Sequence, residues 1–263
     1  MPPKIVVRDL GHEYVSPFTR ERVVALGGVD LEVATGEFLT VVGPSGCGKT
    51  TLLNVLAGLL PPTRGAVLVD GRPVAGPGRD RGVVFQEFAI LPWRTVERNI
   101  AHGLEIQGVP RRERAAAVRR FVDLVGLGGF EGKYPHELSG GMKQRVAVAR
   151  TLAADPEVML MDEPFAAVDA QTRITLQEEL NVISQETRKT ILFVTHNVEE
   201  AVFLGDRCCV LSRRPGRVKT LVPVPIPRPA RTWTLFTPDP EFTAIKERVL
   251  RLVREEVGGG EGA

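Results

Sequence analysis

The sequence predicts an α/β fold, a largely parallel sheet with helices packed around it. Three observations lead there. Apolar runs of strand length alternate with segments of helical periodicity along most of the 263 residues, the pattern of strands joined by crossover helices. The clearest pair is FLTVV (38–42), an unbroken apolar run between Gly36 and Gly43, followed by a helical stretch from Lys49 to Leu60 with Leu52, Leu53, Leu56 and Leu59/Leu60 on one face. No internal repeat is present, and the length suits one large domain or a domain with a small appendage.

In chain order, KIVVR (4–8) and VDLEV (29–33) read as short strands separated by a polar, glycine-punctuated stretch. The helix from Lys49 is stopped by Pro61 and Pro62. Residues 66–69 and 82–85 are further strands. Residues 111–126 read as a helix carrying arginines at 111, 112, 114, 119 and 120; a solvated face accounts for them, and so does a surface that meets a membrane partner. Residues 142–154 form a helix ended by Asp155-Pro156. A buried strand at 158–161, a helix at 172–188, and strands at 191–195 and 208–211 follow. After Leu221 the composition changes. PVPIPRPAR (223–231) is proline-rich and extended, residues 241–256 form an amphipathic helix, and the GGGEGA tail reads as disordered.

Composition narrows the function classes. With 34 basic and 32 acidic residues the net charge is +2, which argues against a dedicated nucleic-acid binder, though a local basic patch stays open. The 43% hydrophobic content is enough for a real core without disulfides. Three cysteines make no disulfide framework. Cys208 and Cys209, adjacent in one strand, point to opposite faces and are poorly placed to share a metal, so the cysteines read as small buried hydrophobes in a reducing cytosol. The first residues, MPPKIVVRDL, lack an apolar core of signal-peptide length. No uninterrupted apolar run reaches ~18 residues, so any membrane role is expected to run through a partner.

Four motifs carry the chemistry. GPSGCGKT spans Gly43, Pro44, Ser45, Gly46, Cys47, Gly48, Lys49 and Thr50, with Thr51 continuing the helix. It is entered from a strand and left by a helix, the context a phosphate-binding loop requires. Its N–H groups converge on phosphate oxygens, the helix N-terminus adds positive potential, Lys49 supplies a point charge for the β- and γ-phosphates, and Thr50 offers a hydroxyl to Mg²⁺. VMLMDE (158–163) delivers two carboxylates at a strand end, Asp162 to hold Mg²⁺ through water and Glu163 to polarise the attacking water. By itself such a strand end also fits a capped turn before Pro164. ILFVTH ends at His196 and GVVFQ at Gln86, both placed to face the γ-phosphate, metal or water at the same sheet edge; taken alone, His196 also fits a surface or capping residue and Gln86 a solvent-facing one. In LSGGMKQRVAVAR, Ser139, Gly140 and Gly141 precede a helix and form a second anion-ready terminus; simple capping by Ser139 explains the serine alone.

The order of these motifs, phosphate loop, FQ, LSGGMKQR, strand-DEP, Asp169 within AAVDA, then TH, resembles the nucleotide-binding subunit of ABC transporters from Ile5 to about Leu221. The resemblance implies a P-loop NTPase (RecA-like) core with an N-terminal antiparallel β portion and a helical insert at about 90–150, making an ATPase domain over 4–222 with 223–263 appended. It implies ATP and Mg²⁺ as ligands and a composite site in which Ser139 to Gly141 reach the nucleotide of a second copy of the chain. Asp169 then couples the paired sites, Tyr14 stacks on adenine (Phe18 is nearby, and a core role for Tyr14 stays open), and Gln86 with EFAILPW senses the permease. The implied partners are transmembrane permease subunits and, indirectly, an extracytoplasmic solute-binding protein; nucleic acid is not among them. The implied location is peripheral, on the cytoplasmic face of the inner membrane. GEFLTVVGPSGCGKTTLL, FQEFAILPWRTVERNI and MDEPFAAVDAQTR are similar to ATPases of nitrate, sulfonate and taurine importers, with Val168 where leucine is usual. A non-transport ATPase of the same type and an efflux motor are the alternatives; the long coiled coils, zinc modules or fused membrane domain typical of those are not in the sequence.

Overall fold

A computed structural model of the chain describes residues 3–166, 168–233 and 239–258. Its centre is β3 (Phe38–Val42), in which all five residues are buried. A strand buried on both faces has to be apolar throughout, and the run FLTVV meets that demand apart from Thr40, whose hydroxyl donates to Ala201 O at 3.1 Å. β3 pairs in parallel with β8 (Thr190–Val194) on one side and β9 (Arg207–Leu211) on the other. The sheet continues through β7 (Val158–Asp162) to β6 (Arg81–Val84). β10 (Val218–Pro223) closes the other edge, antiparallel to β9.

Alternate residues of these strands feed two cores. Phe38, Met159, Met161, Ile191, Phe193, Cys208 and Val210 join one cluster with residues of α4 (Gly140–Ala153), α5 (Ala170–Thr187), α6 (Val198–Leu204) and α7 (Pro240–Gly258). Leu39, Val41, Leu160, Leu192, Val194, Cys209 and Leu211 join the other, with α1 (Lys49–Ala57) and the N-terminal strands. The neighbouring cysteines therefore face opposite sides, as expected from period two. All three cysteines are free and buried, and burial pushes the Cys208 thiol up to about 11 and that of Cys209 up to about 12.

The N-terminal sheet has the order β2-β1-β4-β5. Here the structure corrects the sequence reading. β1 runs Pro3–Val15 and β2 Arg22–Ala34, paired antiparallel along a long hairpin instead of two short strands across a loop. The register shifts near Val7, Leu10 and His12 break the simple alternation that marks a strand. β4 (Arg64–Val69) and the short β5 (Arg72–Pro73) complete the sheet. α1 ends at Ala57 with Gly58 in the left-handed region at φ 76°, three residues before the prolines.

Between β6 and β7 lie α2 (Val96–Ile106), α3 (Arg111–Leu124) and α4, around a third cluster that includes Val96, Ile100, Val122 and Val146. α2 falls within the helical insert expected at about 90–150, although it is not among the separately expected helices. Its apolar stripe is narrow, and its face also holds the fully buried Asn99, which donates to the carbonyls of Leu91, Arg94 and Thr95. α6 and β10 were likewise not anticipated, being short and flanked by turn residues. The proline-rich stretch is strand only to Pro223 and turns into a 3-10 helix at Arg228–Ala230. The tail from 259 on lies outside the described residues.

The turn joining β9 to β10 sits against the loop between β3 and α1. Gly216 is buried, donates to Ala25 O at 2.9 Å, and a Cβ there would lie 2.1 Å from Cys47 O. Gly216→Ala must therefore displace one backbone segment, and urea unfolding should show a loss of about 1–3 kcal/mol, the usual cost of overpacking. An unchanged midpoint and slope would contradict this packing.

Candidate active site

Parallel strands end together, and side chains beyond those ends share one crevice. β3 leads into the loop 43–48 and α1. Gly48, the N-cap, adopts φ 102°, and a Cβ on it would lie 2.8 Å from Leu26 Cδ2, so glycine is needed there for both torsion and space. No side chain caps α1, and its first turn holds no acidic residue. The free N–H groups of that turn thus remain donors for an incoming anion. Lys49 is only 7% exposed; its Nζ donates to Gly43 O at 2.9 Å and Pro44 O at 3.0 Å, which holds the ammonium over the loop.

β7 places Asp162 beneath α1. Its carboxylate is buried, and Oδ1 has no hydrogen-bond partner. Burial pushes the Asp162 carboxyl up, the Thr50 hydroxyl pulls it down, the Glu163 charge pushes it up, and the Lys49 ammonium pulls it down. The next residue, Glu163, has φ 43°, unusual outside glycine. Its N–H is fixed to Val194 O at 2.9 Å on the neighbouring strand, and the turn sends the carboxylate out over the crevice. There Glu163 Oε2 lies 3.0 Å from His196 Nδ1, just beyond β8.

A cleft of about 300 Å³ joins these parts; it is lined by Tyr14, Val23, Ala25, Ser45, Gly46, Gly48, Lys49, Thr50, Thr51, Glu163 and Arg214. Tyr14 is 43% exposed, and its hydroxyl is 3.2 Å from Thr51 Oγ1, whereas Phe18 is 94% exposed. The aromatic face at the cleft is Tyr14. Arg214 was missed in the sequence. It stands on the β9–β10 turn, exposed and with no ion pair among the described residues; the only local signal was the RRPG turn after a strand.

Other expected site residues lie elsewhere in the chain. Gln86 is exposed two residues past β6 and does not line the cleft. Ser139 caps α4, its Oγ accepting from Met142 N at 3.3 Å, and Asp169 caps α5 by accepting from Thr172 N at 3.0 Å. That N–H holds the Asp169 carboxyl below the usual range. The two caps are neighbours, since a Cβ on Gly141 would lie 2.7 Å from Thr172 Cγ2. Neither Ser139, Gly140, Gly141 nor Asp169 lines the phosphate-loop cleft of its own chain.

Comparison with known proteins bears directly on this arrangement. The family model described as ABC transporter matches residues 26–166. An uncharacterized ABC transporter ATP-binding protein of Methanocaldococcus jannaschii is 55% identical over 91% of this chain and 88% of its own length. The chain belongs to the ABC transporter family. It is 45% identical to the nitrate import ATP-binding protein NrtD of Synechocystis, over 94% of both chains, and to the taurine import ATP-binding protein TauB of Escherichia coli, over 88% of this chain and 92% of that one. A solved ABC cassette, dimeric and in a post-hydrolysis state bound to ADP and Pi, superposes with TM-score 0.73 at 31% identity, covering 84% of this chain and 98% of the cassette. This chain is therefore an ABC-type ATPase with the P-loop NTPase fold, the ATP-binding subunit of a transporter.

The buried Asp162 carries a stability cost. A carboxyl whose pKa is raised on folding contributes stability below its ordinary value of 3.8, and that contribution is lost as pH rises through the folded value. Asp162→Asn removes the charge, so at pH 7 without nucleotide the variant should melt no lower than wild type. Each 1 kcal/mol of relief would raise Tm by about 2–4 °C, while ATPase activity falls by about two orders of magnitude. Calorimetry and phosphate release measure the two effects; a variant that melts lower would show the carboxylate to be satisfied.

Proposed function

We propose that this ATPase drives import, hydrolysing ATP between two copies of itself to power uptake of a small anion, of the nitrate, sulfonate or taurine type, through separate permease subunits. The observation that carries the two-copy mechanism is the separation of the anion-ready helix ends. α1 opens onto Lys49, Thr50, Glu163 and Arg214, while Ser139–Gly141 at α4 is absent from that cleft. A second chain can supply the missing terminus. The dimeric cassette structures at 31% identity support this reading.

In such a site the α1 N–H groups and Lys49 hold the phosphates, Tyr14 stacks on the base and Arg214 borders the nucleotide. Glu163 orients the attacking water and takes up its proton, with His196 beside it. Asp169, next to Gly141 through Thr172, is suited to pass the state of one site to the other. Mg²⁺ fits the donors present: Thr50 is exposed at the cleft and Asp162 has an orphaned Oδ1, and this ion keeps waters and takes few protein oxygens. When bound it neutralises charge on the β- and γ-phosphates. Gln86 is assigned to the same metal or to the attacking water, reaching it as the site closes.

The import direction rests on the nitrate and taurine relatives. A groove of about 880 Å³ between α2 and α3, bordered by Trp93, Arg94, Arg98, Glu105 and Arg114, follows directly on the Gln86–Trp93 segment and suits a permease element. Trp93 is 71% exposed there. The solute-binding protein would act through the permease, outside the membrane. Among the described residues no helix is long and apolar enough to cross a membrane, so the chain would be held peripherally at the inner face. Residues 4–222 then form the ATPase domain, with the insert at about 90–150, and 223–263 the appended segment.

Two outcomes follow. In a Glu163→Gln background, which retains ATP, Ser45→Cys and Ser139→Cys should crosslink two chains only when ATP is present; the native thiols are buried and give little background. Crosslinks confined to one chain would refute the composite site. Deleting the gene should abolish use of one small anion as nitrogen or sulfur source, restored by wild type and not by Lys49→Ala. Normal growth on every such source would overturn the import assignment.

A further inference from the structure

The segment after β10 returns to the core and is locked there by Arg231. This side chain is 2% exposed, and its guanidinium donates to the carbonyls of Phe203 at 3.1 Å and Gly205 at 2.8 Å, at the end of α6, and to Val224 and Ile226 of its own segment. So fixed, the segment stacks Trp233 on Phe203, with ring centroids 4.6 Å apart and planes at 12°.

From Trp233 a chain of hydrogen bonds runs inward with a single possible direction. Indole Nε1 can only donate, and it donates to Gln177 Oε1 at 3.0 Å. That contact fixes the amide orientation, so Gln177 Nε2 faces Glu200 Oε1 at 2.7 Å and donates to it. The other oxygen, Glu200 Oε2, accepts from the Thr195 hydroxyl. Thr195 Oγ1 in turn accepts from Asn197 N at 3.0 Å. Gln177 is 1% exposed, Thr195 2% and Glu200 4%. Burial pushes the Glu200 carboxyl up, while the Thr195 and Gln177 donors pull the other way. The residues bonded at the inner end, Thr195 and Asn197, are the two that flank His196, whose imidazole is 3.0 Å from Glu163.

We propose that the C-terminal segment positions His196 against Glu163 and the γ-phosphate through the buried chain Trp233–Gln177–Glu200–Thr195. Trp233, Gln177 and Glu200 are positioning residues: none lines the phosphate-loop cleft, and Glu200, which borders the small cavity beside Glu163 and His196, has both carboxylate oxygens engaged by Gln177 and Thr195. The proposal rests on the ATPase reading of His196. It gives residues 223–233 a function in turnover beyond packing: whatever displaces this segment from α6 releases the backbone on both sides of His196. A buried network with every partner present resists distortion, and removal of one donor is felt along it.

Trp233→Phe tests the proposal in the full-length chain, because it keeps the ring stacked on Phe203 and removes only the N–H. The kcat for ATP is expected to fall on the order of tenfold, less than an ångström of misplacement costs, with KM within about twofold. In a His196→Ala background the same substitution should change single-turnover hydrolysis no further, as required of two residues acting through one path. Independently of turnover, the His196 C2–H resonance of Trp233→Phe should move from its wild-type position at fixed pH, because the ring is no longer held in the same place. An unchanged kcat, an unmoved His196 resonance, or an equal loss in the His196→Ala background would each overturn the positioning role. If His196→Ala itself hydrolyses ATP at the wild-type rate, the assignment of His196 fails instead, which separates the two ideas.

Discussion

The backbone hydrogen bonds that hold β3 between β8 and β9 determine where the phosphate loop begins, and the site is laid out from that point. Because β3 is buried on both faces, its strand cannot slip without moving an entire set of side chains between the two cores. The parallel pairing of β7 with β8 then sets Asp162 opposite Val194, so the carboxylates and His196 arrive at one edge of the sheet at matched heights. Their placement comes from this register, with the helices covering the sheet.

Around that edge the protein tolerates unfavourable local features. Asp162 is buried with an unpartnered oxygen, and Glu163 adopts a left-handed backbone torsion. Each would be selected against in a region that served packing alone. Both fit the proposed site, in which that oxygen would serve as a metal ligand and that torsion would direct Glu163 toward the attacking water. The surrounding sheet, dry and continuous, over-determines these positions and keeps them from relaxing.

The C-terminal segment shows a different use of buried polarity. Arg231 is held inside because its donors meet carbonyls, and Gln177 because its amide bridges Trp233 and Glu200; the geometry of each link follows from which atoms can donate. The arrangement ties residues more than 30 positions beyond His196 to the backbone around it. α7, packed through Phe242 and Val249 into the same core cluster as Val224 and Ile226, holds that segment in place.

Local chemistry was legible in the sequence. GPSGCGKT, VMLMDE and ILFVTH each join a buried strand to the polar residues that stand at its end, and a strand buried on both faces writes itself as an apolar run. The same is true of Ser139, whose capping follows from residue type and position before a helix, whereas the cap that Asp169 provides came from the structure. The hairpin of β1 and β2 was understated because bulges interrupt its alternation, and α2 was missed because a buried Asn99 and a glycine packed against Ala154 interrupt its stripe. Only the tertiary structure brought Arg214 to the cleft, kept Ser139–Gly141 out of it, and joined Trp233 to Gln177 across 56 residues of sequence. Such contacts join segments that share no periodicity or local preference, and they exist only once the sheet order has fixed which strand ends meet.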